Sequence, residues 1–216
     1  MTEPDGRRSV AGGRVSRPTR WLLVALVLAA AVTVAVWPRG TAPTAAPPVA
    51  KNLSANRAKA DLPACITTAD KVPTLTGVHV TCLATGDQVD LGALLAGGPV
   101  LVNVWATWCQ PCQQELPVLN TYAHLPGAVR VVGIQVQSDQ RDGLDLLAGL
   151  GVHLPMVIDE TGAASRALHL PPALPASYIV RPDGTVTLVE HPSRILLTLD
   201  AAEQAVATYA GTGGGA

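Results

Sequence analysis

The chain has 216 residues, a formal net charge of −1 and a hydrophobic content of 48%. This length allows one domain of ordinary size together with additional segments. The near-neutral charge argues against a surface that binds nucleic acid, because such surfaces are strongly basic.

An apolar run lies near the start of the chain. Residues 1–20 contain five arginines, and residues 21–37 then carry no charge and have a Trp at each end. About 17 apolar residues just reach across a bilayer core, and basic residues before such a run keep the N-terminus cytoplasmic. The pattern predicts a basic cytoplasmic N-terminus at 1–20 and an uncleaved transmembrane signal anchor at 21–37. A cleaved signal peptide is the alternative.

The segment after the apolar run is rich in Pro, Ala, Thr and Ser. Residues 38–62 cannot bury a core with this composition, so they are predicted to be a semi-extended tether. We expect the folded domain at 63–210 and a flexible glycine-rich tail at 211–216. Together these segments predict a single-pass protein of the cell membrane, with its domain on the extracytoplasmic side.

Strand and helix patterns alternate through the predicted domain. A hairpin is followed by a helix, and the strand-helix-strand unit after them implies parallel neighbours in the sheet. These patterns predict an α/β fold with a central mixed sheet and helices on both faces. The predicted strands are 78–83, 88–91, 100–106, 129–136, 156–159, 177–180 and 186–190, and the predicted helices are 91–96, 109–124, 140–150, 163–168 and 193–209.

A Cys-Gln-Pro-Cys motif stands where the strand at 100–106 meets the helix at 109–124. Its cysteines, Cys109 and Cys112, are spaced for a small reactive disulfide ring, and this spacing at such a junction predicts a thiol redox site. The helix dipole favours the thiolate of Cys109. Cys112 lies one turn further on, where it can attack a mixed disulfide formed on Cys109.

Two other interpretations of the motif are a zinc site and a purely structural disulfide. A closed zinc site needs two more ligands at suitable spacing, but Cys65 and Cys82 form no second C-x-x-C and the histidines form no pair of finger-like spacing. A purely structural disulfide is disfavoured because such a small ring is strained and easily reduced. We therefore expect no metal site, and no motif for a redox cofactor is seen.

Residues 102–117, Val-Asn-Val-Trp-Ala-Thr-Trp-Cys-Gln-Pro-Cys-Gln-Gln-Glu-Leu-Pro, resemble the active-site block of membrane-anchored thioredoxin-like proteins of the TlpA and ResA type. That group includes the reductases of cytochrome c maturation. Residues 174–178, Leu-Pro-Ala-Ser-Tyr, resemble the loop of the same family whose proline is cis and faces the dithiol. The resemblance covers about 75–205 and implies a thioredoxin-like fold with an N-terminal hairpin and a strand–helix insertion at about 129–168.

The resemblance also implies roles for residues beside the dithiol. Glu115 lies three residues after Cys112, on the same side of the helix, and corresponds to an acidic residue that helps proton transfer to the second cysteine. A carboxyl in a partly dry site has a raised pKa and can act as acid or base near neutral pH. An ordinary exposed glutamate is the alternative.

A second group of residues is expected to contact the substrate. Pro175 should be cis and present the backbone of Leu174 to an extended substrate segment, although an ordinary turn proline is the alternative. Trp108 should form an apolar rim that packs against a protein partner. Gln110 and Pro111 should shape the surface around the reactive cysteine.

Cys65 and Cys82 depart from the minimal pattern of that family. Two spare cysteines in an exported domain are expected to be oxidised, and their pairing would tie the end of the tether to the first hairpin. We expect a structural disulfide worth about 3 kcal/mol in the chain-entropy model. A second redox relay to the dithiol is the alternative.

The leading hypothesis is a membrane-tethered, extracytoplasmic thiol–disulfide oxidoreductase. It would reduce disulfides in exported proteins such as apocytochromes and exchange electrons with a donor or acceptor protein in the membrane. The same fold also supports an oxidase or isomerase of exported proteins. A non-catalytic copper chaperone is less consistent with the C-x-x-C spacing, and a peroxidase with Ala106 in the position where those sites carry Thr.

Overall fold

The computed structural model describes residues 21–22, 25–29 and 52–211. The chain divides into two compact units, Met1–Ala50 and Lys51–Ala216. In the first unit, the described residues are helical. The predicted basic N-terminus, most of the predicted anchor, the first part of the predicted tether and nearly all of the predicted tail lie outside the described residues.

The predicted single-pass localisation in the membrane is wrong, because the described helices do not provide a span. Among residues 21–22, 25–29 and 52–211, no helix is both long and apolar enough to cross a membrane. The longest helix described has 14 residues, whereas a span needs about 20 consecutive apolar residues.

Part of the predicted tether is folded. Residues Ser54–Ala60 form helix α1, and the apolar side chains of Leu53 and Ala60 at its two ends are buried. Arg57 on this helix donates a hydrogen bond of 3.1 Å to the carbonyl of Leu83, in the first hairpin. The end of 38–62 therefore packs on the domain through its buried apolar residues and this arginine. The composition of the whole segment did not predict this, because it averages over residues that pack and residues that do not.

One seven-stranded sheet forms the centre of the second unit. The strand order is β2-β1-β5-β4-β3-β6-β7. β3 is parallel to β4, and β4 to β5, while the other neighbours are antiparallel. The strands are β1 His79–Cys82, β2 Gln88–Asp90, β3 Val100–Trp105, β4 Arg130–Gln135, β5 Met156–Ile158, β6 Ala176–Val180 and β7 Val186–Leu188.

Helices cover both faces of the sheet, as predicted. Side chains of β3 alternate between two buried clusters: Leu101 and Trp105 belong to one, and Val102 and Val104 to the other. All six residues of the strand are buried, as expected for a strand with both faces covered. The remaining helices are a 3-10 helix at Pro73–Leu75 and α2 Leu91–Leu94, α3 Gln110–Ala123, α4 Gln140–Leu150, α5 Ala163–Ala167 and α6 Leu199–Ala210.

The last helix begins later than predicted. α6 starts at Leu199, and the side chain of Thr198 caps it by accepting a hydrogen bond of 3.2 Å from the backbone of Ala201. Within the predicted helix at 193–209, the backbone N–H of Leu196 donates to the Glu115 carboxyl instead of to a helical carbonyl. This tertiary hydrogen bond holds 193–198 as a loop.

Candidate active site

The two motif cysteines meet at the beginning of α3. Cys109 is the N-cap residue of the helix and forms a disulfide with Cys112. The backbone N–H of Cys112 donates to Sγ of Cys109 over 3.3 Å. Cys109 is 4% exposed and Cys112 is completely buried. A sulfur that accepts an amide hydrogen bond at a helix N-terminus is favoured as a thiolate, so the geometry suits Cys109 to nucleophilic attack.

The Leu174–Pro175 peptide bond is cis, as predicted from the sequence. Ala176, the next residue, pairs with Val104 in the antiparallel register of β3 and β6. Pro175 therefore lies at the edge of the sheet where β3 ends and the chain turns toward the dithiol. Pro175 is buried and Leu174 half-buried.

One exposed aromatic side chain, that of Trp108, directly precedes the first cysteine. The side chain of Trp108 is 60% exposed, yet its Nε1 donates a hydrogen bond of 3.1 Å to the carbonyl of Gln137. The backbone N–H of Thr107 donates to Oγ of Ser138 over 3.3 Å. The loop after β4 therefore orients the indole while leaving much of it available to a partner.

Gln135 anchors that loop and was not predicted as a site residue from the sequence. Its fully buried amide donates to Oγ of Ser138 over 3.0 Å and to the carbonyl of Asp139 over 2.8 Å. Gly143 on α4 leaves the space that the amide occupies, since a Cβ there would clash with it. A glutamine after the apolar run 131–134 was the available signal, because buried amides need partners.

Two more predicted contact residues stand on the first turn of α3. Gln110 is exposed and Pro111 half-buried. Both lie between the two cysteines in the chain, and Trp108 directly precedes the first cysteine. Trp108, Cys109, Gln110, Pro111 and Cys112 therefore lie together where β3 leads into α3, and Pro175 directly precedes β6, which pairs with β3.

Glu115 is a fully buried carboxyl rather than an exposed one. Its Oε1 accepts a hydrogen bond of 2.7 Å from the backbone of Leu196, and its Oε2 one of 2.8 Å from the Asn103 amide. Burial raises the pKa of Glu115 to about 7, and these two hydrogen bonds partly oppose that rise. A group with this pKa can take up or release a proton near neutral pH.

Asn103 is a second residue that was not singled out from the sequence. It is the one polar residue of β3, and its amide nitrogen also donates to Oγ of Ser177 on β6 over 3.0 Å. Its Oδ1 is buried and accepts no hydrogen bond from any residue that the structure describes. Such a polar residue inside a buried apolar strand must find partners, which is the signal that could have identified it.

The other two cysteines also form a disulfide, as predicted. Cys65 is half-buried and Cys82 lies on β1 with an exposed fraction of 1%. Two strands separate β1 from β3, which corresponds to about 14 Å across the sheet. Cys65 packs against the cluster that contains Val104, whereas the dithiol belongs to the opposite cluster. The two disulfides therefore lie on opposite faces, which argues against direct exchange between them.

Sequence comparison supports the resemblance inferred from the motif. A profile of the AhpC/TSA family matches residues 68–189. The thiol-disulfide oxidoreductase ResA of Bacillus subtilis is 31% identical over 106 residues, which are 48% of this chain and 58% of that protein. The thiol:disulfide interchange protein DsbE of Xylella fastidiosa is 36% identical over 93 residues, or 43% of this chain and 46% of that protein. The chain thus spans about half the length of these relatives.

A solved structure supports the predicted fold. The secreted Mycobacterium tuberculosis disulfide oxidoreductase homologous to E. coli DsbE is 29% identical, with a TM-score of 0.54. The match covers 63% of this chain and 98% of that one. The likeness confirms the thioredoxin-like fold, and the profile match extends over more than half of the sequence. The chain belongs to the AhpC/TSA family.

Proposed function

We propose that this protein is a thiol–disulfide oxidoreductase whose Cys109–Cys112 dithiol reduces disulfides in exported proteins such as apocytochromes. The observation that carries the proposal is the hydrogen bond of 3.3 Å from the backbone of Cys112 to Sγ of Cys109 at the start of α3. It stabilises the first sulfur as a thiolate beside a second sulfur within bonding reach. The similarity to ResA, a thiol-disulfide oxidoreductase, and to DsbE, a thiol:disulfide interchange protein, supports the same reaction class.

The reaction begins from the reduced dithiol. The thiolate of Cys109 attacks one sulfur of a substrate disulfide, so a mixed disulfide forms and the other substrate sulfur leaves as a thiolate. Cys112, as a thiolate, then attacks Sγ of Cys109. The mixed disulfide breaks, the Cys109–Cys112 disulfide forms, and the substrate leaves as a dithiol with two more electrons. A separate donor protein in the membrane returns two electrons to this protein.

Glu115 supplies the proton acceptor for the second step. It follows Cys112 by one helical turn on α3, and both side chains are buried. Because its pKa is raised to about 7, the carboxyl can accept the Cys112 thiol proton and later release it. Without such a group, a buried thiol would lose its proton reluctantly.

The rim residues hold the substrate. The exposed indole of Trp108 offers apolar area next to Cys109, and the backbone of Leu174 can pair with an extended substrate segment. Gln110 and Pro111 complete the border of the site. None of these four residues adds a charge, so shape and backbone hydrogen bonds would select the substrate.

A trapping experiment tests the reaction. The variant Cys112→Ser retains the attacking thiol but cannot resolve the mixed disulfide, whereas the matched variant Cys109→Ser lacks the attacking thiol. Each is incubated with an oxidised peptide containing a C-x-x-C-H haem-attachment sequence, and adducts are measured by mass spectrometry. The proposal predicts a stable adduct with Cys112→Ser only. Equal adducts on both variants, or none on either, would contradict it.

A further inference from the structure

The amide of Asn103 joins Glu115 to Ser177. Its nitrogen donates to Oε2 of Glu115 over 2.8 Å and to Oγ of Ser177 over 3.0 Å. All three side chains are buried, with exposed fractions of 1% or less. The three residues come from β3, α3 and β6, so the amide connects the carboxyl to the strand that follows the cis proline.

This arrangement suits the ionised form of Glu115. A carboxylate only accepts hydrogen bonds, and both of its partners here, the Leu196 backbone and the Asn103 nitrogen, are donors. A neutral carboxylic acid carries an O–H group, which needs an acceptor when it is buried. The buried Oδ1 of Asn103 accepts nothing from the described residues, so an unused acceptor lies on the same side chain.

Rotation of the amide by half a turn exchanges its nitrogen and oxygen. After this rotation, Oδ1 faces Glu115 and Ser177, and its two lone pairs can accept from both O–H groups. The Ser177 hydroxyl either donates or accepts, so it is compatible with each orientation. The network can therefore satisfy the carboxyl before and after protonation.

We propose that Asn103 is a positioning residue which serves both protonation states of Glu115 by rotating its amide, as a donor to the carboxylate and as an acceptor from the neutral acid. The inference rests on the proposed function, in which Glu115 exchanges a proton with Cys112. The rotation would keep the carboxyl in one place while its proton comes and goes. A fixed donor would instead favour the ionised form alone.

The surroundings of Glu115 allow the effect to be isolated. In the disulfide form the two cysteines do not titrate, and Tyr178, next to Ser177 on β6, points to the opposite face of the sheet. The pKa of Glu115 responds to burial and to the hydrogen bonds from Leu196 and Asn103. The charged side chains on the neighbouring β4, α4 and α6, and in the loop before α6, are all exposed. They are Arg130, Arg141, Asp142, Asp145, Arg194, Asp200 and Glu203.

The first test uses the oxidised protein without substrate. The pKa of Glu115 is measured by carbon NMR of labelled glutamate in the wild type, in Asn103→Leu and in Ser177→Ala. A fixed donor stabilises the carboxylate alone, so its loss would raise the pKa of Glu115 by about one to two pH units. A rotating amide stabilises both protonation states, so Asn103→Leu should shift the pKa by clearly less than that, and Ser177→Ala, which keeps the bond to Glu115, should also leave it nearly unchanged. A rise of about one to two pH units in folded Asn103→Leu would mark Asn103 as a fixed donor and overturn the inference.

The second test needs no variant of Asn103 and therefore keeps the inference falsifiable even if Asn103→Leu does not fold. The side-chain NH₂ resonances of Asn103 are followed with pH in the wild type, and they should shift with the midpoint of Glu115. In Glu115→Gln they should not shift. Resonances that stay constant through the Glu115 midpoint in the wild type would overturn the rotation. Turnover of a peptide disulfide by the wild type is measured separately, and its absence would contradict the proposed function alone.

Discussion

The backbone N–H of Leu196 donates a hydrogen bond of 2.7 Å to Oε1 of Glu115, across a separation of 81 residues. Asn103 holds the other carboxyl oxygen. The carboxyl is thus fixed jointly by α3, β3 and the loop before α6. Tertiary structure, rather than the local helix, determines both its burial and its hydrogen bonds.

The first prediction concerns stability and pH in the oxidised protein. Burial raises the pKa of Glu115 from 4.5 to about 7, so the folded state favours the neutral carboxyl. The stabilising contribution of this carboxyl to the free energy of unfolding is complete below pH 4.5 and is lost as the pH rises through about 7. The free energy of unfolding should therefore fall by about 3 kcal/mol over this interval. Glu115→Gln, which stays neutral, should lack the drop.

Denaturant unfolding at several pH values measures this difference. Glu203→Gln is the matched control, because Glu203 is an exposed glutamate on α6, and it should retain the wild-type pH dependence. If the free energy of unfolding depends on pH in the same way in the wild type and in Glu115→Gln, the fold does not hold the Glu115 carboxyl neutral.

The second prediction concerns the loop that orients Trp108. A Cβ at residue 143 would overlap the amide of Gln135, so Gly143→Ala should destabilise the protein by about 1–3 kcal/mol. It should also loosen the hydrogen bond between Trp108 and Gln137, which tryptophan fluorescence and indole hydrogen exchange would detect.

A second glycine of α4 provides the control for that variant. A Cβ at Gly149 would meet no atom within 4 Å, so Gly149→Ala should stabilise the helix by about 0.5–1 kcal/mol. If both variants shift the unfolding free energy alike, the clash with Gln135 has no consequence.

The third prediction concerns the Cys65–Cys82 disulfide. Replacing both cysteines by Ala should lower the free energy of unfolding by about 3 kcal/mol in the chain-entropy model. Turnover of a peptide disulfide should persist, because the pair lies on the opposite face of the sheet from the dithiol. Thermal unfolding and turnover are measured on the same samples. Loss of turnover with unchanged melting would instead indicate a redox relay.

The fourth prediction concerns substrate binding. Trp108→Ala should raise KM for a protein disulfide about tenfold, the typical effect of removing an exposed aromatic anchor, while leaving reaction with dithiothreitol nearly unchanged. Ile66→Ala is the control, since Ile66 is 73% exposed but lies beside the other disulfide. Equal effects of the two variants on KM would contradict a specific role for Trp108.

Local patterns in the sequence were sufficient to predict most of the second unit. The helix predicted at 140–150 is observed with those bounds, because its leucines recur at helical spacing. The parallel pairing of β3 with β4 followed from the connection through a helix. The motif likewise located Cys109 and Cys112, since a short spacing at a strand–helix junction is a local property.

The features that depend on distant partners could not be predicted in this way. The spacing rule placed Glu115 beside the dithiol, but its burial depends on Leu196 and Asn103. The start of α6 depends on the same bond to Leu196. Helix α1 was not predicted because it lies in a segment rich in Pro, Ala, Thr and Ser. Its position on the domain depends on the contact of Arg57 with Leu83, which is distant in the sequence.

The reduction potential of the Cys109–Cys112 pair tests the central claim most directly. Cys65 and Cys82 are first replaced, so that only the Cys109–Cys112 pair can be oxidised or reduced. The protein is then equilibrated with glutathione or dithiothreitol buffers, and the oxidised fraction is measured by alkylation and mass spectrometry. If the protein is a reductase, we expect a reduction potential well below about −200 mV. A value near about −120 mV would mark an oxidant of exported proteins and contradict the proposed direction of electron transfer.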